Sequence, residues 1–231
     1  MKPKWEMEPQ SGQRQVVRQQ RPGPAHRDVT NDLYWARNTL THLIQGPTST
    51  ATIQLDYATM RDGDRAGLAL LRDSSAWIGI KQDGGTTRLV MVNGLTMDSN
   101  WNTTGTEVAS ANVTGGRIRL RAAADIRPGA SRPGTFSHST DGTNFTRLGP
   151  AFTMGNTWQF FMGYRFALTN YATQTLGGSV GIARFALTTP RAQQRPSPAS
   201  DQLLSPRPAT PGRTTPWPVP PSTGQRLTRP Q

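Results

Sequence analysis

The sequence contains no cysteine, which excludes disulfide bonds and thiolate metal sites. It has no run of 18 apolar residues, so no transmembrane helix and no membrane partner are predicted. The first residues, Met1–Glu6, lack the apolar segment of a signal peptide. We therefore expect a chain without an export signal of its own. If a parent protein is secreted, its signal lies on a part outside this sequence, and the localisation stays open.

Acidic residues are few, but the resulting positive charge is unevenly distributed. The chain has 26 Lys and Arg against 14 Asp and Glu, for a net charge of +12. Residues 28–190 contain 14 basic and 11 acidic residues, whereas residues 1–27 and 191–231 carry surpluses of four and five basic residues. The basicity is therefore predicted to lie at the ends and not on a folded face. A nucleic-acid binder, which needs a basic surface on its fold, is not favoured.

The two ends of the chain have little apolar content. Residues 191–231 are rich in Pro and Arg, and 10 of the 19 prolines lie in the last forty residues. Such a composition buries too little surface to offset the entropy of ordering, so this tail is predicted to be disordered. Residues 1–27 are predicted to be an irregular lead, and residues 28–190 the folded domain. Both ends have the composition that out-of-frame reading of GC-rich DNA gives, which favours a truncated or frame-shifted gene.

The middle of the chain has the period-two alternation of β-strands. Residues 51–57 and 117–121 alternate apolar and polar side chains, the second with Arg on the predicted wet face. Asp141-Gly142 between two short runs predicts a hairpin, and Asn93-Gly94 a turn. Further strands are predicted at 66–71, 76–80, 89–92, 158–168 and 179–187. No segment has a helical repeat with caps. An all-β antiparallel β-sandwich or jelly roll follows.

Residues for catalysis are scarce. Glycoside hydrolysis needs two placed carboxyl groups, but the only glutamates are Glu6, Glu8 and Glu107, the last in a Thr/Gly-rich segment predicted to be a loop. Several aspartates fall in predicted turns, namely Asp62, Asp64, Asp83 and Asp141. The three histidines are scattered, and no nucleophile elbow, phosphate loop or dinucleotide fingerprint occurs. We expect no catalytic residue, no metal site and no cofactor.

Aromatic residues cluster in one short segment: Trp158, Phe160, Phe161, Tyr164 and Phe166. On one continuous strand Phe161 would face away from the other four. The segment is then either a core strand with one stray aromatic, or a strand that presents Phe161 to a sugar ring. Trp77 and Trp101 are further possible platforms, although the apolar run around Trp77 favours a core position.

Several linked segments resemble one known module. They include residues 36–41, 60–68, 120–122, 136–142 and 161–167, in order and with consistent spacing across residues 33–187. Together they resemble the C-terminal concanavalin A-like β-sandwich of glycoside hydrolase family 43 β-xylosidases and arabinofuranosidases. The likeness weakens before Asp28 and stops after Pro190.

This resemblance implies a jelly-roll sandwich that packs on a catalytic five-bladed β-propeller, a domain absent here. The parent enzyme would hydrolyse xylan or arabinoxylan with inversion, all proton transfers being made by the propeller. The segment Phe161-Met162-Gly163 is similar to the one whose aromatic reaches the family's substrate pocket, so Phe161, or else Phe160, is the expected substrate-binding residue. The expected function is that of an accessory domain. The alternative is a free-standing carbohydrate-binding module.

Overall fold

The computed structural model describes the backbone of Val16–Val17 and residues 29–129, 131–157 and 162–190. The rest of the predicted lead, 1–27, and the predicted tail, 191–231, lie outside the described residues. The described part contains no helix, and hence none long and apolar enough to cross a membrane.

Thirteen strands are described: β1 (Val16–Val17), β2 (Thr39–Leu43), β3 (Thr48–Asp56), β4 (Asp64–Leu71), β5 (Ser74–Asp83), β6 (Thr86–Met97), β7 (Thr103–Asn112), β8 (Arg117–Asp125), β9 (Pro133–Ser139), β10 (Thr146–Arg147), β11 (Phe152–Thr153), β12 (Arg165–Ala172) and β13 (Gly181–Thr188). One sheet, called sheet A, has the order β1-β13-β3-β8-β9-β10, and β11 also pairs with β9. The other, sheet B, has the order β2-β12-β4-β5-β6-β7. Both are antiparallel, and the predicted β-sandwich is confirmed.

Sheet A has one buried face and one polar face. Alternate residues of β3 and β8 are buried, which confirms the two alternating strands predicted from the sequence. The outward arginines of β8 have partners on the same face: Arg119 donates to Gln54, and Arg121 donates to Thr52 and lies 3.4 Å from the ring centroid of Phe145. The outer face is therefore well ordered and polar.

The central strands of sheet B are buried on both faces. Most residues of β4, β5 and β12 are buried, regardless of parity. The outer face is covered by residues 29–36, where Leu33 and Ala36 pack against Trp77 and Tyr171. The backbone N–H of Thr30 donates to the carbonyl of Ala172 at 2.8 Å and fixes this cover. This second apolar layer explains why the sequence of sheet B has continuous apolar runs and little alternation.

The main core lies between the two sheets. Its fully buried side chains come from both, and include Ile53, Leu55, Leu68, Leu70, Ile78, Ile80, Leu89, Met91, Ile118, Leu120, Phe136 and Phe166. Burial of each contributes about 1.5–3 kcal/mol. The fold is thus held by a large apolar layer without any cysteine.

Of two predicted turns, one is correct and one is wrong. The hairpin at Asp141-Gly142 is confirmed, since β9 and β10 pair across it and the Asp141 carboxylate accepts hydrogen bonds from the backbone N–H groups of Thr143 and Asn144. The turn at Asn93-Gly94 is wrong because β6 continues to Met97. The two residues form an irregularity in that strand, with Gly94 at φ +70°.

The segments around Glu107 and Tyr164 also differ from the prediction. Glu107 lies on the edge strand β7, not in a loop. The strand predicted at 158–168 begins only at Arg165, and residues 162–164 precede it as irregular backbone. The parity argument that set Phe161 apart from its neighbours assumed a continuous strand, so it no longer holds.

Candidate functional site

Residues 154–157 and 162–164 lie at the end of sheet B where β4 ends and β12 begins. They flank residues 158–161, so Phe160 and Phe161, the two predicted substrate-binding residues, lie outside the described residues. The structure does describe both arms on either side of them, and these arms are fixed to the turn between β4 and β5.

Arg72, in that turn, is the central residue of this end. Its side chain is 95% buried. The guanidinium donates through Nε to the carbonyl of Met162 at 2.9 Å and through Nη2 to the carbonyl of Thr157. It also forms an ion pair with Asp73 at 3.5 Å and lies 5.6 Å from the ring centroid of Tyr164. One buried cation therefore ties both arms to the same turn.

Tyr164 makes a second tie between the arms and the sheet. Its hydroxyl donates to the carbonyl of Ser74 at 2.7 Å and accepts from the backbone N–H of Gly155 at 2.9 Å. Burial, the largest influence, raises the pKa of Tyr164 above its ordinary value, so the hydroxyl stays protonated and able to donate. The Thr157 hydroxyl donates to the Asp73 carboxylate at 3.3 Å. The ends of the 154–164 segment are therefore rigidly held.

A cleft of about 430 Å³ opens beside these arms. It is lined mainly by apolar side chains, among them Leu43, Ile44, Ile126, Met154 and Met162. Leu43 is 57% exposed and Met162 38% exposed. This end of the sandwich thus presents apolar surface to its surroundings, which a free-standing domain does not require for folding.

Two carboxylates of the described residues, those of Glu107 and Asp141, are held by structural contacts. Glu107 forms ion pairs with Lys81 at 2.9 Å and with Arg88. Burial raises the pKa of Glu107, but the hydrogen bonds and charges of these two cations outweigh it, so the pKa lies below its ordinary value. The pKa of Asp141 is held well below its usual range by hydrogen bonds from the hairpin turn. Neither carboxyl group has the raised pKa of a general acid.

The possible metal ligands do not converge in the described part of the chain. There, no group of three or more His, Asp or Glu side chains is placed to hold a metal ion. His138 lies on β9, and burial lowers its pKa.

Sequence analysis named two tryptophans as possible platforms. Trp77 is 2% exposed in the outer layer of sheet B, which confirms the core interpretation. Trp101 is 61% exposed. Sequence analysis missed Arg72 and Trp35, since neither belongs to a motif and the partners of Arg72 lie 85 and 90 residues further along the chain.

The fold is a concanavalin A-like sandwich, and several similar solved structures are parts of longer enzyme chains. A chain described as an engineered GH43 glycoside hydrolase with endo-xylanase and exo-arabinofuranosidase activity shares 41% identity, with a TM-score of 0.68, over 75% of this chain and 33% of that one. A bifunctional GH43-CE protein from Bacteroides eggerthii shares 33% identity, with a TM-score of 0.65, over 71% of this chain and 20% of that one.

The fold also occurs at low identity. The GH43 protein BlXynB of Bacillus licheniformis matches with a TM-score of 0.53 at 12% identity, over 69% of this chain and 31% of that one. This chain therefore spans a third or less of each of these solved structures. No curated protein matches the chain.

The family described as "Beta xylosidase C-terminal Concanavalin A-like domain" matches residues 26–188. The chain belongs to this family, which confirms the resemblance seen in the sequence. The family itself is that of a domain that lies at the C-terminal end of β-xylosidases.

Proposed function

We propose that this chain is the accessory C-terminal β-sandwich of a family 43 glycoside hydrolase that degrades xylan or arabinoxylan, and that it has no hydrolase activity by itself. The observation that carries the proposal is the 41% identity to a GH43 enzyme of which this chain spans only one third. The carboxyl pair that hydrolysis needs then belongs to the catalytic propeller.

The end of the sandwich that carries residues 154–164 is the proposed contact with the propeller. Its apolar cleft and the exposed side chains of Leu43 and Met162 are suited to burial against another domain. The hydrogen bonds that Arg72 donates, and the one that the Tyr164 hydroxyl accepts from Gly155, hold both arms of the segment in place. A rigid base reduces the entropy lost when a side chain of the segment contacts substrate.

Phe161 is the residue proposed to reach the substrate pocket, with Phe160 as the other candidate. Support comes from the resemblance of Phe161-Met162-Gly163 to the family's segment and from the position of its two arms. Loss of an aromatic contact that contributes about 1.4 kcal/mol to transition-state binding lowers kcat/KM roughly tenfold.

The test joins this full chain to the catalytic domain of the 41%-identical enzyme, in place of that enzyme's own C-terminal domain. Phe161→Ala is expected to lower kcat/KM on arabinoxylan oligosaccharides about tenfold. Phe145→Ala, on the outer face of sheet A, is the matched control and is expected to leave kcat/KM unchanged. Unchanged kcat and KM for both Phe161→Ala and Phe160→Ala would refute the assignment.

The alternative is a free-standing carbohydrate-binding module, which the exposed Trp101 favours. The same fusion separates the two functions. An accessory domain changes kcat or KM on short oligosaccharides, whereas a free module changes only the binding of the polymer.

A further inference from the structure

Two indole rings are exposed on the fold. Trp35 is 56% exposed and Trp101 is 61% exposed, and both are larger than any other exposed apolar side chain of the described residues. The neighbouring side chains of Leu33 and Ala36 are only 3% and 5% exposed. The Trp35 segment is therefore packed firmly, while the Trp35 indole is not.

The two segments that present these rings are locked together. The Asp32 carboxylate accepts hydrogen bonds from the backbone N–H and the hydroxyl of Thr103, the latter at 2.8 Å. The indole Nε1 of Trp35 donates to Oδ1 of Asn102, the residue after Trp101, at 3.2 Å. The two tryptophans therefore lie on a common, preorganised support.

The turn that carries Trp101 is closed by its own hydrogen bonds. Oδ1 of Asp98 accepts from the backbone N–H groups of Asn100 and Asn102 at 2.8 and 2.9 Å. Trp101 itself has φ +66°, in the left-handed region. A bulky residue there costs about 1–3 kcal/mol. Because the Trp101 indole is exposed, it gains little stabilisation from burial that would offset this cost. Backbone strain of this kind is typical of binding sites.

The chemistry around the rings suits a neutral glycan. A flat indole packs against the C–H face of a pyranose ring, while the ring's equatorial hydroxyls need polar partners at the edge. Asn100, Asn102 and Asp98 provide amide and carboxylate groups beside Trp101. A cleft of about 240 Å³ adjoins the support, and its lining includes Asn31, Thr103, Arg65 and Lys81.

The site lies at the same end of sheet B as the 154–164 segment. The carbonyl of Asp73 accepts from the backbone N–H of Met97, directly before the Trp101 turn, at 2.8 Å. The carboxylate of the same Asp73 accepts from Thr157. One turn therefore connects both features.

We propose that Trp35 and Trp101 form a glycan-binding site that holds a xylan chain on the surface of the sandwich. The choice of xylan rests on the proposed function, but the site itself does not. Its ligand is recognised by stacking on the two indoles and by hydrogen bonds to the amides of the Asp98–Asn102 turn.

The experiment uses the full chain with xylohexaose in titration calorimetry and with soluble arabinoxylan in affinity electrophoresis. Trp101→Ala and Trp35→Ala are each expected to weaken binding tenfold or more, as truncation of an aromatic anchor does. Trp101→Tyr, which keeps an aromatic ring, is expected to retain most of the affinity. The controls are Trp217→Ala, which removes a tryptophan of the predicted tail, and Leu176→Ala, which removes an apolar side chain that is 45% exposed. Both should bind as the unsubstituted chain does.

Each variant's unfolding midpoint shows whether lost binding reflects lost folding, and we expect little change because both indoles are exposed. Absence of binding to any oligosaccharide by the unsubstituted chain, or equal binding by Trp35→Ala and Trp101→Ala, would overturn the site. Tryptophan-dependent binding of cellohexaose or mannohexaose in preference to xylohexaose would support the site and contradict the xylan part of the proposed function.

Discussion

Replacement of Arg72 by methionine tests the clamp at the base of the 154–164 segment, by which we mean the hydrogen bonds from Arg72 to the carbonyls of Met162 and Thr157. Methionine keeps an apolar stem of similar length in the buried position but removes the charge and its donors. The change therefore isolates the hydrogen bonds to Met162 and Thr157 from the packing of the side chain.

The expected loss follows from these two bonds. A hydrogen bond from a charged donor contributes about 1.5–3 kcal/mol. Two of them give about 3–6 kcal/mol. Met162 is 38% exposed, so water can reach the freed backbone there and the lower end applies. We expect Arg72→Met to lower the free energy of unfolding by about 3 kcal/mol. For a domain of this size the melting temperature then falls by about 6–12 °C.

Urea unfolding followed by fluorescence gives the free energy, and amide hydrogen exchange shows where protection is lost. Protection should fall first in residues 154–157 and 162–164, while the amides of β3 and β8 stay protected. Arg127→Met is the matched control, because the Arg127 side chain is 60% exposed and pairs with Asp125, two residues away in the sequence. Its unfolding midpoint should stay unchanged. A single neutral hydrogen bond contributes about 1 kcal/mol. A smaller loss of unfolding free energy for Arg72→Met would therefore refute the clamp.

Three further predictions concern stability. Tyr164→Phe should cost about 1–3 kcal/mol in urea unfolding, because a buried carbonyl and a backbone N–H lose their partner. Gly79→Ala should cost about 3 kcal/mol in the same assay, since the new Cβ would lie 2.2 Å from a backbone carbonyl oxygen of β4. Its control is Gly84→Ala, where φ is +54° and the Cβ would meet no neighbouring atom. That change should cost only about 1 kcal/mol. Glu107→Gln should destabilise at pH 7, and the difference from the unsubstituted chain should vanish in a pH series as the pH falls.

The sign of the Glu107 effect follows from its lowered pKa. The ion pairs contribute stability that is fully present above the unfolded pKa, near 4.5, and is lost as the pH falls through the lower folded value. A difference that grows below pH 4 would contradict this account. Equal losses for Gly79→Ala and Gly84→Ala would show that the close approach of β4 and β5 is not the limiting contact. An unchanged free energy of unfolding for Tyr164→Phe would show that water replaces the hydroxyl as a hydrogen-bond partner.

Sequence reasoning predicts the sandwich well where one face of a strand is wet. The alternation in β3 and β8 corresponds directly to burial. It predicts less where both faces are buried, because the cover formed by residues 29–36 leaves sheet B without alternation. The edge strand β7 is nearly free of large apolar residues, and after the buried Thr103 most of its residues are exposed. It therefore resembles a loop in composition, and Glu107 was misplaced for that reason.

The candidate site was predicted only in part. The aromatic cluster and Trp101 could be found from residue type alone. Arg72 could not, because its role depends on carbonyl groups that are brought to it by the pairing of β4 with β12. Trp35 could not either, since its exposure depends on the burial of Leu33 and Ala36 on either side. Such contacts arise from tertiary structure and leave no periodic signal in the sequence.

The central claim is that this sandwich completes the substrate site of a family 43 catalytic domain. The most direct measurement compares kcat/KM on arabinoxylan oligosaccharides for the catalytic domain of the 41%-identical enzyme alone, with its own C-terminal domain, and with this chain in its place. The account predicts that this chain restores most of the activity that the native C-terminal domain confers. A fusion that contains a folded sandwich but is no more active than the catalytic domain alone would contradict it.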